Sequence, residues 1–190
     1  MHIEDTFIFC NFTHHAQSIR EIFNEVILHS TALYEYQPRT LGDIKKWFAI
    51  KSAEQFPVLG IVDATGKLMA FGTYGSFRHF PAYLHTVEHS VYVHHLFRGK
   101  GLGRKMLGEL ILWAQADGYH TMIGAIDKDN LASVALHRKK GFQHSGTLAQ
   151  VGCKFGKWLD LELYQLMLDP PMPEIQITQE YVKILVTQTV

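Results

Sequence analysis

The order of apolar patterns predicts an α/β (α+β) domain, a mixed central sheet of about seven strands with helices on both faces. Three observations carry that expectation. β-Branched and aromatic runs alternate with helical-period runs in the order strand, two helices, three strands, helix, strand, helix, two strands. A chain of 190 residues, 47% hydrophobic and 19% charged, supports a substantial core and is too apolar to remain disordered. No repeat or linker divides residues 1–169, whereas "PPMPEIQITQEYVKILVTQTV" from residue 170 changes texture. Residues 1–169 therefore read as one domain, and 170–190 as a C-terminal extension: an edge strand, a dimer arm or a tail.

Taken in order, "DTFIFCNF" is the first strand. Thr13 is placed to cap a helix from about His14 to His29, with Ile19, Ile22, Phe23, Val26 and Ile27 on its buried stripe. Pro38 ends an irregular connection, and Thr40 caps a second helix, "LGDIKKWFAIKS". "FPVLGIVDATGKLMAFGTYG" is a hairpin around the turn signal Asp63-Ala64-Thr65-Gly66. An aromatic loop, "SFRHFPAYLHT", leads to the strand "VEHSVYVHH". The third helix runs from about Gly101 to Asp117, with Gly118 suited to the left-handed position that follows it. "HTMIGAI" is a short apolar strand covered on both faces. "NLASVALHRKKG" is a helix between Asn130 and Gly141, and two last strands turn near Gly156.

The totals exclude several classes. Lys plus Arg equals Asp plus Glu, 18 against 18, so no global field recruits nucleic acid or a membrane surface. The first residues lack the basic lead and apolar run of a secretory signal, and no segment approaches membrane-spanning length. Two cysteines, Cys10 and Cys153, are too few for a disulfide framework and suit a reducing cytoplasm; neither is assigned a catalytic role. His85 and His89 lie about 13 Å apart at strand rise, too far to share a metal. His14-His15 and His94-His95 are adjacent pairs whose side chains diverge. No metal is expected.

The junction "VYVHHLFRGKGLGRKML" carries the chemistry. Gly99, Gly101 and Gly103 let backbone N–H groups turn inward just where a helix adds its unpaired donors and positive dipole end. Arg98, Lys100 and Arg104 surround that nest with positive charge, so it fits a phosphate or pyrophosphate. An ordinary glycine-rich turn with exposed basic residues is the alternative. Lys105-Met106 fails the P-loop pattern, and Arg104 breaks the dinucleotide fingerprint. What remains is Arg-x-x-Gly-x-Gly, Arg98 to Gly103.

This motif resembles the pyrophosphate loop of the GNAT superfamily of acetyl-CoA-dependent N-acetyltransferases. "HTVEHSVYVH", "HTMIGAIDKDNLASVALHRKKGF" and "QVGCKFGKWLDL" narrow the resemblance to the phosphinothricin and methionine sulfoximine N-acetyltransferases, over roughly residues 5 to 169. The resemblance implies the GNAT fold, a bulge in "VYVHH" that splays it from "HTMIGAI", and a homodimer. The pantetheine arm of acetyl-CoA then pairs with the backbone of Val91, Tyr92 and Val93, and an N–H near Val91 or Tyr92 meets the thioester oxygen. The glycine loop, including Leu102, holds the diphosphate; Asn130 and Ser133 contact pantetheine.

Glu88 is the candidate general base, a carboxylate in an otherwise apolar strand, where low polarity raises its pKa. A solvent-facing Glu, or one paired with His89, is the plainer reading. His137 stands where many GNAT members carry the Tyr that serves the leaving thiolate, and the resemblance gives it that role. Between Gly75 and Val87 the chain has no acid but offers Phe77, Arg78, His79, Phe80, Tyr83 and His85. Arg78 suits a substrate carboxylate and the aromatics an aliphatic chain; a solvated lid is the alternative. Glu88, His89 and Ser90 line the substrate side, and Lys154 with Trp158 closes it. The implied reaction is acetylation of the α-amino group of an amino-acid-like small molecule such as phosphinothricin, methionine sulfoximine or methionine sulfone. A protein N-terminal or lysine acetyltransferase, and a non-catalytic acyl-CoA-binding module, are the competing readings.

Overall fold

The computed structural model describes residues 5–168; the expected extension at 170–190 lies outside the described residues. The elements are β1 (Thr6–Phe9), α1 (Phe12–His29), α2 (Leu41–Ala53), β2 (Val58–Val62), β3 (Leu68–Ser76), β4 (Thr86–Val93), α3 (Leu102–Ala116), β5 (Thr121–Asp127), α4 (Leu131–Lys139), β6 (Gln143–Lys154) and β7 (Lys157–Met167). They follow the order expected from the apolar patterns. Single 3-10 turns, Pro81–Tyr83 and His95–Phe97, punctuate the connections.

The seven strands form one sheet in the order β1-β2-β3-β4-β5-β7-β6. All neighbours are antiparallel except β4 and β5, which α3 links as a parallel pair. One face of the sheet packs on α1 and α2 through Ile19, Phe23, Ile27 and Ile44, with Phe71 and Tyr92 beneath them. The other face packs on α3 and α4 through Met106, Leu107, Leu110 and Val134, with Val87, Met122 and Tyr164. Gly72 of β3 admits α3 closely: a Cβ there would stand 2.7 Å from Met106 Cγ and 2.9 Å from Leu110 Cδ1.

Thr40 caps α2 as expected, in a reciprocal capping box with Asp43. The cap of α1 is Asn11 rather than Thr13: Asn11 Oδ1 accepts from His14 N at 3.0 Å, and the helix starts before Thr13. Both residue types cap well, so composition alone does not choose between them. Asp63 organises the hairpin turn, its Oδ1 accepting from the backbone N–H of Thr65 and Lys67. Gly118, after α3, is left-handed at φ 79°.

Candidate active site

β4 and β5 pair at only three positions, Thr86↔Thr121, Val87↔Met122 and Glu88↔Ile123. Beyond Glu88 they part. The expected bulge is absent, because β4 keeps unbroken register with β3 from Ser76↔Val87 to Ala70↔Val93. The gap opens because β4 continues along β3 while β5 continues along β7 to Asp127↔Leu161. Each strand keeps its outer partner and gives up the inner one.

The hydrogen-bond phase decides which backbone groups face the gap. His94 N donates to Met69 O (2.9 Å) beyond one end of the β3–β4 ladder and Phe77 N to Thr86 O (3.2 Å) at the other. Alternate residues in such a ladder address the same neighbour, so Glu88, Ser90 and Tyr92 are bonded to β3. His89, Val91 and Val93 direct their backbone groups toward β5. The expectation for Tyr92 is thereby corrected: it lines the groove, but its backbone belongs to the β3 ladder.

The gap widens into a groove of about 460 Å³, bounded by His89–Val93 of β4, Gly124–Asp127 of β5, the α3 N-terminus and the α4 residues Ser133, Leu136 and His137. A second cavity of about 520 Å³, walled by the end of α1 and by Ser30–Ala32, shares Val91, Tyr92, Val93, Arg98 and Asn130 with it. The splay is therefore open on both faces of the sheet.

At the head of the groove Gly99 and Gly101 have φ of 76° and 80°, and a Cβ on either would meet nothing within 4 Å. Gly101 is the α3 N-cap and offers no side chain to the first-turn N–H groups. The first-turn N–H groups therefore lack a side-chain cap and face open space, a geometry that suits an anion. Gly103 is the close approach to α4, its Cβ position 3.5 Å from Leu136 Cδ2. Arg104 lines the groove. Lys100 Nζ sits 5.0 Å from the Phe97 ring centroid. Arg98 points elsewhere: its guanidinium pairs with Glu25 of α1, and Nε donates to the gap-facing carbonyl of Val93 at 3.3 Å. Asn130 caps α4, accepting from Ser133 N at 3.2 Å.

Glu88 is half-buried at the last paired position, on the α1–α2 face with Ser90 and Tyr92. Burial raises its carboxyl pKa, and the Arg78 guanidinium opposes that rise. Arg78 itself is exposed, 5.3 Å from the Phe77 ring, which meets Tyr83 edge-on at 5.7 Å. His79 and Phe80 are exposed on the same loop.

Two expected substrate contacts are placed differently. His89 lies on the opposite face from Glu88, buried against α4, because neighbouring strand residues point to opposite sides. Lys154 is a buried strut whose Nζ donates to Ser30 O (2.8 Å) and Leu33 O (2.6 Å), and burial lowers its pKa. It ties the end of β6 to the segment after α1, whose Ser30 walls the second cavity, and its ammonium lines neither cavity. Trp158 is 67% exposed.

Gly124 was not singled out by the motifs, although a lone glycine inside an apolar strand signals a close approach. A Cβ on it would stand 3.0 Å from His137 Nε2 and 3.1 Å from His89 Nε2. Among the described residues no group of three or more His, Cys, Asp or Glu side chains is placed to hold a metal ion, and no helix is long and apolar enough to cross a membrane.

The splayed parallel strand pair with an uncapped helix N-terminus at its head is the arrangement that the resemblance implies for an acyl-CoA-binding transferase. The family is specified by comparison. The model of the acetyltransferase (GNAT) family matches residues 17–142, and the chain belongs to that family; it is an acetyltransferase. An L-methionine sulfoximine/L-methionine sulfone acetyltransferase of Pseudomonas aeruginosa is 44% identical over 152 residues, covering 80% of this chain and 88% of that protein. An N-acetyltransferase structure from Staphylococcus aureus superposes with a TM-score of 0.84 at 40% identity, covering 87% of this chain and 99% of the other. A phosphinothricin acetyltransferase from Sinorhizobium meliloti, in complex with acetyl-CoA, gives 0.83 at 31% identity over 86% of this chain and 88% of the other.

Proposed function

We propose that this chain transfers the acetyl group of acetyl-CoA to the α-amino group of a small amino-acid-like substrate, of the methionine sulfoximine, methionine sulfone or phosphinothricin type, by direct attack in a ternary complex. The observation that carries the reading is the single groove that joins the uncapped α3 N-terminus to the point where β4 and β5 part. Acetyl-CoA supplies an activated thioester, and the residues present fit it. The open space at Gly99 and Gly101 and the first-turn N–H groups take the diphosphate, with Lys100 and Arg104 as charge. Asn130 and Ser133 meet the pantetheine amides. Val91 N–H, unpaired on the gap side, polarises the thioester oxygen.

Glu88 withdraws the proton from the attacking amine, directly or through a water. Its raised pKa suits the task, since a free α-amino group titrates near ~8 and needs only a weak base. Arg78 holds the substrate carboxylate and Phe77 and Tyr83 flank its side chain, with His79 and Phe80 on the lid. On this reading the protein acts in the cytoplasm as a homodimer, without nucleic acid or membrane, and confers resistance to antimetabolites of this type.

The test is release of CoA, followed with a thiol reagent. Methionine sulfone or phosphinothricin is expected to trigger release, and peptides are not. Turnover on peptides alone favours a protein acetyltransferase; CoA binding without turnover favours a binding module.

A further inference from the structure

The resemblance gives His137 the leaving-thiolate role, but its ring is engaged on both nitrogens: Nδ1 meets Ser133 O and Nε2 meets His89 behind β4. Their Nε2 atoms are 3.0 Å apart, with ring centroids 5.0 Å apart and planes inclined by only 19°. The rings therefore meet edge to edge in nearly one plane, the geometry of an N–H···N hydrogen bond rather than of face-to-face stacking. Gly124 makes the meeting possible, since a Cβ there would stand within 3.1 Å of both Nε2 atoms.

The hydrogen-bond pattern assigns the protons. His137 Nδ1 lies 2.7 Å from Ser133 O, and a carbonyl only accepts, so Nδ1 carries hydrogen. Burial holds both rings neutral, lowering the His137 pKa and pushing His89 down to about 3. Neutral His137 therefore presents a bare Nε2, and the hydrogen between the rings belongs to His89. His89 Nδ1 is buried without a partner, as an unprotonated nitrogen in apolar surroundings is. Phe142 packs against both rings and Tyr164 against His137, with the Tyr164 hydroxyl turned to Glu162. Tyr74, across from His89 on β3, is engaged with Asp117.

Both rings line the groove. We propose that His89 and His137 act as one hydrogen-bonded dyad in which His89 Nε2–H is the donor offered to the leaving thiolate, and His137 positions it. The proposal rests on the acetyl-transfer reading. When the carbon–sulfur bond breaks, its electron pair stays on sulfur, and a thiolate attracts the N–H more strongly than a neutral ring nitrogen does. No proton leaves the dyad, because neutral His89 would become an imidazolate. The amine proton goes to the Glu88 side, and CoA departs as thiolate.

The test compares His89→Leu, which removes the donor, with His89→Gln, which restores an N–H near the Nε2 position. The full-length chain is used, with thermal unfolding to confirm folding. His89→Leu is expected to lower kcat by about 10- to 150-fold, the range for a lost hydrogen bond to a charged group, with KM for acetyl-CoA nearly unchanged. His89→Gln is expected to recover most of that loss. A folded His89→Leu variant with the parent kcat overturns the proposal. So does an equal kcat loss in both variants, which marks a purely structural contact. Nitrogen-15 NMR of histidine-labelled protein reads the dyad without turnover: His137 is expected as the Nδ1–H form and His89 as Nε2–H. A hydrogen on His137 Nε2 and none on His89 Nε2 overturns the assignment. Should no amino acid be acetylated, the acetyl-transfer reading fails while the NMR result still decides the dyad.

Discussion

Gly101 and Gly118 stand at the two ends of α3 and share one backbone state, φ 80° and 79°, with open space where a Cβ would go. Alanine at either costs left-handed strain of roughly 1–2 kcal/mol and nothing in packing. At about 2–4 °C per kcal/mol for a chain of this size, each variant should lose on the order of 2–8 °C in Tm. Their functional effects should diverge. Gly101 forms the uncapped N-terminus proposed to hold the diphosphate, while Gly118 lies beyond the far end, about 22 Å along the helix. Losing one backbone hydrogen bond to a charged phosphate oxygen costs about 1.5–3 kcal/mol, or roughly 10- to 150-fold in Kd. Isothermal titration with acetyl-CoA should show that loss for Gly101→Ala and parent affinity for Gly118→Ala. Parent affinity in Gly101→Ala, or equal losses in both, refutes the cradle.

Glu88→Gln should cut kcat while leaving acetyl-CoA affinity nearly unchanged; a fully active variant removes Glu88 from the chemistry. Arg78→Gln should raise KM for the amino acid by about 10-fold or more, as a lost charged contact does. It should also move the acidic limb of the kcat/KM profile to higher pH, because Arg78 opposes the burial that raises the Glu88 pKa; an unmoved limb rules out Glu88 as the titrating base. Lys51, largely buried, donates to Tyr74 O at 2.6 Å, and burial lowers its pKa from 10.5 to about 8. Between those values the unfolded chain holds more protons than the folded one, so stability rises with pH across that window. Denaturant unfolding of the parent, referenced to Lys51→Met, should show a gain bounded at about 3 kcal/mol between pH 8 and 10.5; no gain places the Lys51 pKa at its ordinary value.

The order of elements was legible because each segment carried its own period: stripes at three and four residues in α1 and α3, unbroken apolar runs in β2 and β5. The glycine junction was legible for the same local reason. Contacts between distant segments were not. Nothing near Arg98 announces that its guanidinium pairs with Glu25, and nothing near Lys154 announces the carbonyls of Ser30 and Leu33. Both cations satisfy groups that are neighbours only after the sheet has formed. The absence of a bulge in β4 was equally hidden, since register is settled between strands rather than within one.

Strand alternation explains why the splay, rather than either face of the sheet, is where these groups converge. Glu88 and His89 are consecutive, so one side chain goes to the α1–α2 face and the next to the α3–α4 face. On an unbroken sheet the backbone layer separates them, and no single atom is reached from both. On the proposed roles, the amine nitrogen meets its base on one face and the sulfur its donor on the other, so the transfer between them must cross the plane of the sheet. The strands therefore have to stop pairing beside it. They do so immediately after Glu88↔Ile123, where the next residue of β5 is Gly124, whose missing side chain leaves room for the His89–His137 hydrogen bond. Val91, two residues further along β4, then turns its N–H into the same opening. The position of the last β4–β5 pair thus sets the spacing of the proposed base, the proposed donor and the gap-facing N–H of Val91 together.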